Sequence, residues 1–275
     1  QMPIKQKINT NRIHALYFET PIQEMQYLRQ LLDIDDQDPI TYYNLGTAYV
    51  KLRQYDKAIP EYEKALQIYK KWGIDPFWIL NYTYLGTAYH KTGQFKKEKS
   101  LYIKAQEVFP DNISLIRNQS VFSLSVGDTI ETNRLLEKAR SYFKSISASE
   151  AFIEAARANV FVDAGLMDEA EEFFREALSS EPENPVRLND LAHFLIEKDR
   201  NVSEGMDHVE KALHLNSDNY NFLYTKGWGL YKQGKYREAL DILQKSWDLR
   251  RIKSIYDHEA YLHLEEAKKA VSSQK

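Results

Sequence analysis

Leu45-Gly46-Thr47-Ala48-Tyr49 returns letter for letter as Leu85-Gly86-Thr87-Ala88-Tyr89, 40 residues further on. The surroundings return with it: Tyr42 becomes Tyr82, Tyr62 becomes Tyr102 and Ala65 becomes Ala105. A pentapeptide that recurs inside a matching frame marks a duplicated structural unit, so a repeat architecture is considered before any other fold. Apolar residues in the frame recur at helical spacing and none alternates over the length of a strand. The chain is therefore expected to be all-α.

Read from Tyr42, the frame is Y-x2-L-G-x2-Y, then Ala58-x3-Tyr62, then Ala65. It resembles the tetratricopeptide repeat (TPR), whose signature is W-x2-L-G-x2-Y followed by A-x3-F and Pro at a period of about 34. The resemblance implies a right-handed α-solenoid of antiparallel helix pairs, here about six units plus N- and C-terminal helices. The second unit carries Gly93 at its tight turn and closes at Pro110. The third, from Ile113, is the poorest match, with Ser120, Ser123 and Thr132 where Gly, Tyr and Ala are usual. Ala158, Phe161, Gly165, Ala170, Phe174, Ala177 and Pro182 keep the fourth in frame, and Gly227, Gly234, Ala239 and Leu243 the sixth. In the fifth, the turn from Lys198 to Val202 is longer by about one residue and shifts Gly205, Val209 and Ala212 by one.

Paired helices cross closely only where both sides are small. Gly46, Gly86, Ala158, Ala192 and Gly227 supply one side; Ala58, Ala170, Gly205 and Ala239 supply the other. Glu98 and Thr132 break this rule, so units two and three should be the least regular. A third small position holds Ala65, Ala105, Ala139, Ala177, Ala212 and Ser246, which in the family packs on the following unit.

Thr20-Pro21-Ile22-Gln23 reads as a capping box with proline at the first helical position. The helix it opens carries Ile22, Met25, Leu28, Leu31 and Leu32 on one face, the second helix of a unit whose first is degenerate or partly cut away. Asp38-Pro39 and Asp75-Pro76 read as caps of the first helices of units one and two. The expected organisation is an N-terminal partial repeat over 1–37, one continuous array over 38–253 and a capping helix over 254–275. Units fall at about 39–78, 79–112, 113–150, 151–184, 185–219 and 220–253.

The 275 residues are 43% hydrophobic and 28% charged, which suits a folded chain. A net charge of −3 and a pI near 6.2 give no ground for a nucleic-acid binder. No apolar run approaches the ~20 residues that span a bilayer. Cysteine is absent, which removes disulfides, thiolate catalysis and Cys-type zinc sites. That absence leans toward the bacterial periplasm or cell envelope over the cytoplasm, and the start at Gln1-Met2 toward a processed or trimmed chain.

No catalytic residue, cofactor or metal is expected. His258 and His263 flank Glu259 as in a metalloprotease helix, but five residues set them about 140° apart on a helix. Gly227-Trp228-Gly229 lies inside a helix and is no phosphate loop. His14, His90, His193, His208 and His214 are scattered surface or groove residues.

What remains is the concave groove. Carried over from the family, its first-helix positions are Tyr43, Thr47 and Val50, then Leu80, Thr87 and His90, then Arg117, Val121 and Leu124. Phe152, Asn159 and Val162 follow, then Asn189, His193 and Ile196, then Tyr224, Trp228 and Tyr231. Trp228 and Tyr231 either face a partner or lie under the capping helix. Lys51, His90, Lys91 and Arg117 would make the N-terminal half basic, and Asp163, Asp190 and Glu197 the C-terminal half acidic. The family's carboxylate clamp for Hsp70 and Hsp90 tails needs Lys and Asn where Tyr43 and Thr47 stand, so such a tail is not the expected ligand. The expected role is a non-catalytic scaffold for a protein or peptide partner. A sensor module of a larger signalling or envelope protein and a self-associating array are the alternatives.

Overall fold

The computed structural model describes residues 3–18 and 20–273, Phe18 by its backbone alone; Gln1, Met2, Glu19, Gln274 and Lys275, and with them the reading of the chain's start, lie outside the described residues. Among the described residues there are fifteen α-helices and no strand. In order they are α1 (Ile4–Phe18), α2 (Pro21–Ile34), α3 (Pro39–Lys51), α4 (Tyr55–Trp72), α5 (Leu80–Lys91), α6 (Phe95–Val108) and α7 (Ile113–Ser125). Then come α8 (Thr129–Ser145), α9 (Glu150–Ala164), α10 (Met167–Ser180), α11 (Pro185–Glu197), α12 (Val202–Leu215), α13 (Tyr220–Lys232), α14 (Tyr236–Ile252) and α15 (His258–Ser273). The helix pairs from α3/α4 to α13/α14 are the six units, an all-α solenoid construction. Contacts gather the chain into two compact units, Gln1–Ala139 and Arg140–Lys275, whose boundary falls inside α8.

In the first unit the capping signals act as the sequence implies. Gln23 N–H donates to Thr20 Oγ1 at 3.4 Å and Thr20 N–H to Gln23 Oε1 at 3.0 Å, the reciprocal bonds of a capping box. Asp38 accepts from Ile40 N–H at 3.0 Å and from the Thr41 hydroxyl at 2.6 Å. The N-terminal pair is more complete than its pattern suggests. α1 packs on α2 and buries Ile8 and Ala15, while Ile13 and Tyr17 stay exposed. On α2 it is Glu24 that joins Leu28 and Leu31 in the interior, and Ile22 is exposed.

Asp75-Pro76 does not cap a helix. α4 runs to Trp72 and ends on Gly73 at φ 70°, and α5 begins only at Leu80. Trp78, just ahead of α5, packs its ring on Tyr43 with centroids 6.2 Å apart. Asn81 Nδ2 then donates to the Trp78 carbonyl at 3.1 Å and closes the first turn.

The crossings show why small residues are needed. A Cβ on Gly46 would sit 2.8 Å from Cε1 of Tyr62, and one on Gly86 would collide with the Tyr102 ring. Ala58, Ala65, Ala88 and Ala105 are fully buried. Units two and three depart from the rule as expected, yet their polar intruders are bonded. Glu98 meets His90, Ser120 Oγ donates to the Ile116 carbonyl at 2.9 Å, and Thr132 Oγ1 lies 2.7 Å from the Asp128 carbonyl.

In the second unit Ala158, Ala170, Ala192, Ala212 and Ala239 are fully buried. Four residues separate α11 from α12 where three separate α3 from α4, the one-residue extension expected in unit five. Its turn passes through Asp199 at φ 52°, a conformation that Gly165 and Gly234 adopt at the equivalent turns. Ser149 caps α9, Asn184 caps α11 and Asn219 caps α13, each by a side-chain oxygen accepting backbone N–H.

Gly86 and Gly93 separate packing from backbone strain. Gly86→Ala should cost about 1–3 kcal/mol by overpacking, and combined with Tyr102→Leu the losses should fall short of additive. At Gly93 nothing lies within 4 Å of an added Cβ, so Gly93→Ala should cost about 1–2 kcal/mol for its φ of 70° and add to Tyr102→Leu. Denaturant midpoints of the double variants measure this; additive losses for the Gly86 pair would mean the crossing is looser than described.

Candidate partner-binding site

In the first unit, the expected groove residues divide into core and rim. Tyr43 is buried in a cluster with Tyr62 and Tyr84, its ring stacked on Tyr84 with centroids 6.2 Å apart. Burial pushes its phenol up to about 12. Thr47 Oγ1 donates to the Tyr43 carbonyl at 3.0 Å and lies 3.1 Å from the Tyr62 hydroxyl. Thr87 Oγ1 donates to the Thr83 carbonyl, and Asn118 Nδ2 donates both to that carbonyl at 2.9 Å and to Thr87 Oγ1 at 3.2 Å. That amide ties α7 to α5. Val121 is buried, Arg117 is exposed, and Leu80 is 38% exposed.

His90 sits in a polar line. Its Nδ1 faces Glu98 Oε2 at 3.1 Å, its Nε2 faces Ser125 Oγ at 3.4 Å, and Glu98 is 1% exposed. These are the residue types of a hydrolase triad, but Ser125 Oγ donates to the Val121 carbonyl at 2.9 Å, so its proton is not presented to the imidazole. The line joins α5, α6 and α7 and stabilises their packing.

In the second unit Phe152 is 42% exposed, edge-on to Phe143 with centroids 5.2 Å apart and under the Arg187 guanidinium. Asn159 is exposed and donates to the Ala155 carbonyl at 2.8 Å. Asn189 is buried, and its Oδ1 has no hydrogen-bond partner among the described residues. His193 packs on Tyr224 with ring centroids 5.9 Å apart, and burial depresses its basicity. Tyr224 and Trp228 are buried because α15 covers them. His263 stacks on Trp228 at a centroid distance of 3.5 Å, and its Nδ1 meets the Tyr224 hydroxyl at 2.9 Å. Tyr231 lies on the other face of Trp228, 4.6 Å away and half-buried.

Three of the seven groups expected to polarise the groove are engaged within their own unit. Lys51 lies 3.6 Å from Glu24, His90 faces Glu98, and Asp190 receives Arg187 at 2.7 Å. Glu24 and Glu98 are buried, so these pairs belong to the packing of the unit and leave less charge for a ligand.

Family models for the tetratricopeptide repeat match residues 37–111, 155–184 and 226–254. This is a tetratricopeptide-repeat protein. The stretches matched hold units one, two, four and six, and the polar third unit is not among them. The TPR chain is 31% identical over 96 residues to a TPR repeat-containing protein of Pseudomonas aeruginosa, which is 35% of this chain and 15% of that one. It is 27% identical over 113 residues to a TPR repeat-containing protein of Methanocaldococcus jannaschii, 41% of this chain and 18% of the other. The matched stretches thus span less than a fifth of either relative. A solved tetratricopeptide repeat protein of Parabacteroides merdae aligns over 96% of this chain and 98% of its own, with a TM-score of 0.52 and 14% identity, a likeness of fold alone. No described helix of the TPR protein is long and apolar enough to cross a membrane.

Sequence reading passed over one exposed group of the TPR protein. Trp72, Ile74, Phe77 and Trp78 are 50%, 44%, 77% and 50% exposed around the segment that links α4 to α5. Its signal is the local excess of aromatic residues in the one unit lengthened to 40 residues. Glu24 was passed over as well, since a lone glutamate in an amphipathic helix carries no mark of burial.

Burial pushes the Glu24 carboxyl up despite Lys51 and Arg12 beside it, so desolvation outweighs the ion pairs. A carboxyl raised on folding contributes stability that is full below its unfolded value and lost as pH rises through its folded value. Glu24→Gln should therefore raise the thermal midpoint at pH 7 and leave it little changed at pH 4. A fall at pH 7 would show that the ion pairs win.

Proposed function

We propose that this TPR protein is a non-catalytic scaffold that binds a protein partner, as an extended segment or a helix, on the first-helix side of its repeats. The observation that carries the reading is the apolar edge formed by Phe77, Trp78 and Leu80 in the first unit. Phe77 is 77% exposed, while Trp78 rests on the buried Tyr43 and is held by it. Adjacent large apolar side chains in water are costly to leave exposed, and covering them is worth about 25 cal/mol per Å². Trp and Phe anchors backed by a rigid aromatic core lose little freedom when a partner covers them. Together these support an apolar anchor of the sort that a peptide-binding face uses. Arg117 is exposed on α7 of the same compact unit. Phe152 and Asn159 offer a second, smaller set in the other unit.

Peptides selected from a random library against the full chain test the reading. Phe77→Ala and Trp78→Ala should each weaken the selected peptides at least tenfold, and Arg117→Glu should alter the salt dependence. Ile130→Ala, at an 84% exposed site on α8, should leave affinity unchanged. Selected peptides that bind all four variants alike would remove the apolar edge as the docking site.

A further inference from the structure

Two helices of the second unit each present a histidine and a glutamate one turn apart. On α11 these are His193 and Glu197, and on α15 they are Glu259 and His263. Residues four apart share a helix face, so each pair can close on one point between the helices. The carboxylate oxygens of Glu197 and Glu259 and a ring nitrogen of His263 lie within 4.8 Å of one another, all three half-buried. We propose that Glu197, Glu259 and His263 form a binding site for a divalent metal ion of the zinc class, with His193 beside it.

The surroundings have the features of a metal shell. His263 is fixed on two sides, by its hydrogen bond to Tyr224 and by the face of Trp228. Metal-bound imidazoles use such a partner on the second nitrogen to set ring orientation. Both Tyr224 and Trp228 are buried, so the site has a dry wall. Glu197 Oε2 is sealed from solvent and has no hydrogen-bond partner among the described residues. Two neighbouring carboxylates repel when both are charged, a repulsion that a bound cation relieves. The lysines whose charge reaches Glu197 are Lys198 and Lys232, and Lys232 is already held by Asp199 at 2.6 Å. Arg250, which acts on His193, is held by Asp257 at 3.2 Å.

The donor set selects the ion. Imidazole with carboxylates suits zinc and its neighbours, whereas calcium and magnesium take oxygen donors and more of them. Zinc bonds of about 2.0–2.2 Å put tetrahedral donors about 3.3–3.5 Å apart, so the set must close by at most ~1.5 Å, within reach of glutamate rotation. Water would complete the coordination. The ion would pin α15 to α11 and hold the cover over Tyr224 and Trp228. His258 is not among the ligand atoms that converge at this point. The partner-binding reading does not depend on this site.

Calorimetric titration of zinc chloride into the metal-free full chain tests it. The parent should bind one zinc per chain, and Glu197→Gln and Glu259→Gln should each weaken binding at least tenfold. Glu265→Gln, elsewhere on α15, should match the parent, and magnesium should give no saturable signal. Cobalt supplies a readout free of any variant, with visible absorption beyond that of the aqueous ion, displaced by zinc. No saturable zinc binding by the parent would overturn the proposal. So would zinc binding that both glutamine variants retain, or a cobalt spectrum identical to that of the free ion.

Discussion

Each helix pair here depends on how closely its two helices cross. Where α3 meets α4 the ring of Tyr62 fills the space that a side chain on Gly46 would need, and Tyr102 does the same at Gly86. A glycine facing a tyrosine gives the pair close backbone approach on one side and a large buried surface on the other. The same trade appears at Gly227, where a Cβ would sit 2.8 Å from Cγ of Leu243. Close-packed interiors tolerate neither a methyl group too many nor one too few at such points. Repetition follows, because each pair hides one face and leaves another for its neighbour.

The units that break the rule show what replaces it. Glu98 occupies a position where alanine is usual, and it is buried with His90, Ser125 and α7 arranged around it. Thr132, Ser120 and Ser123 turn their hydroxyls onto carbonyls and each other. A buried polar group costs several kcal/mol if unpaired and little if bonded, so these units keep their packing by hydrogen bonding. Irregularity in composition here does not become irregularity in the helices.

The same internal satisfaction governs function. Of the expected groove charges Lys51, His90 and Asp190 are engaged by neighbours, and Tyr224 and Trp228 of α13 lie beneath α15. In the first unit the exposed aromatic pair Phe77 and Trp78 sits on the connection between α4 and α5. Loops held by a rigid scaffold are where binding residues concentrate. The capping helix in turn carries the chemistry of the second unit, because it brings Glu259 and His263 to Glu197.

The repeat frame, the helix caps at Thr20 and Asp38, the tight crossings and the extended turn of the fifth unit were all legible in the sequence. Each rests on interactions between residues close along the chain, which spacing and side-chain size express directly. Asp75-Pro76 misled for the opposite reason: its local signal was correct as chemistry, but the segment ahead of α5 carries Trp78, packed on Tyr43, 35 residues away. Burial of Glu24, of Tyr43 and of Trp228 was likewise decided by neighbours distant in sequence. The candidate metal ligands lie more than sixty residues apart along the chain, Glu197 on α11 and Glu259 with His263 on α15. Only the packing of α15 against the second unit put them within reach of one ion, since convergence is a property of how helices pack and not of any one helix.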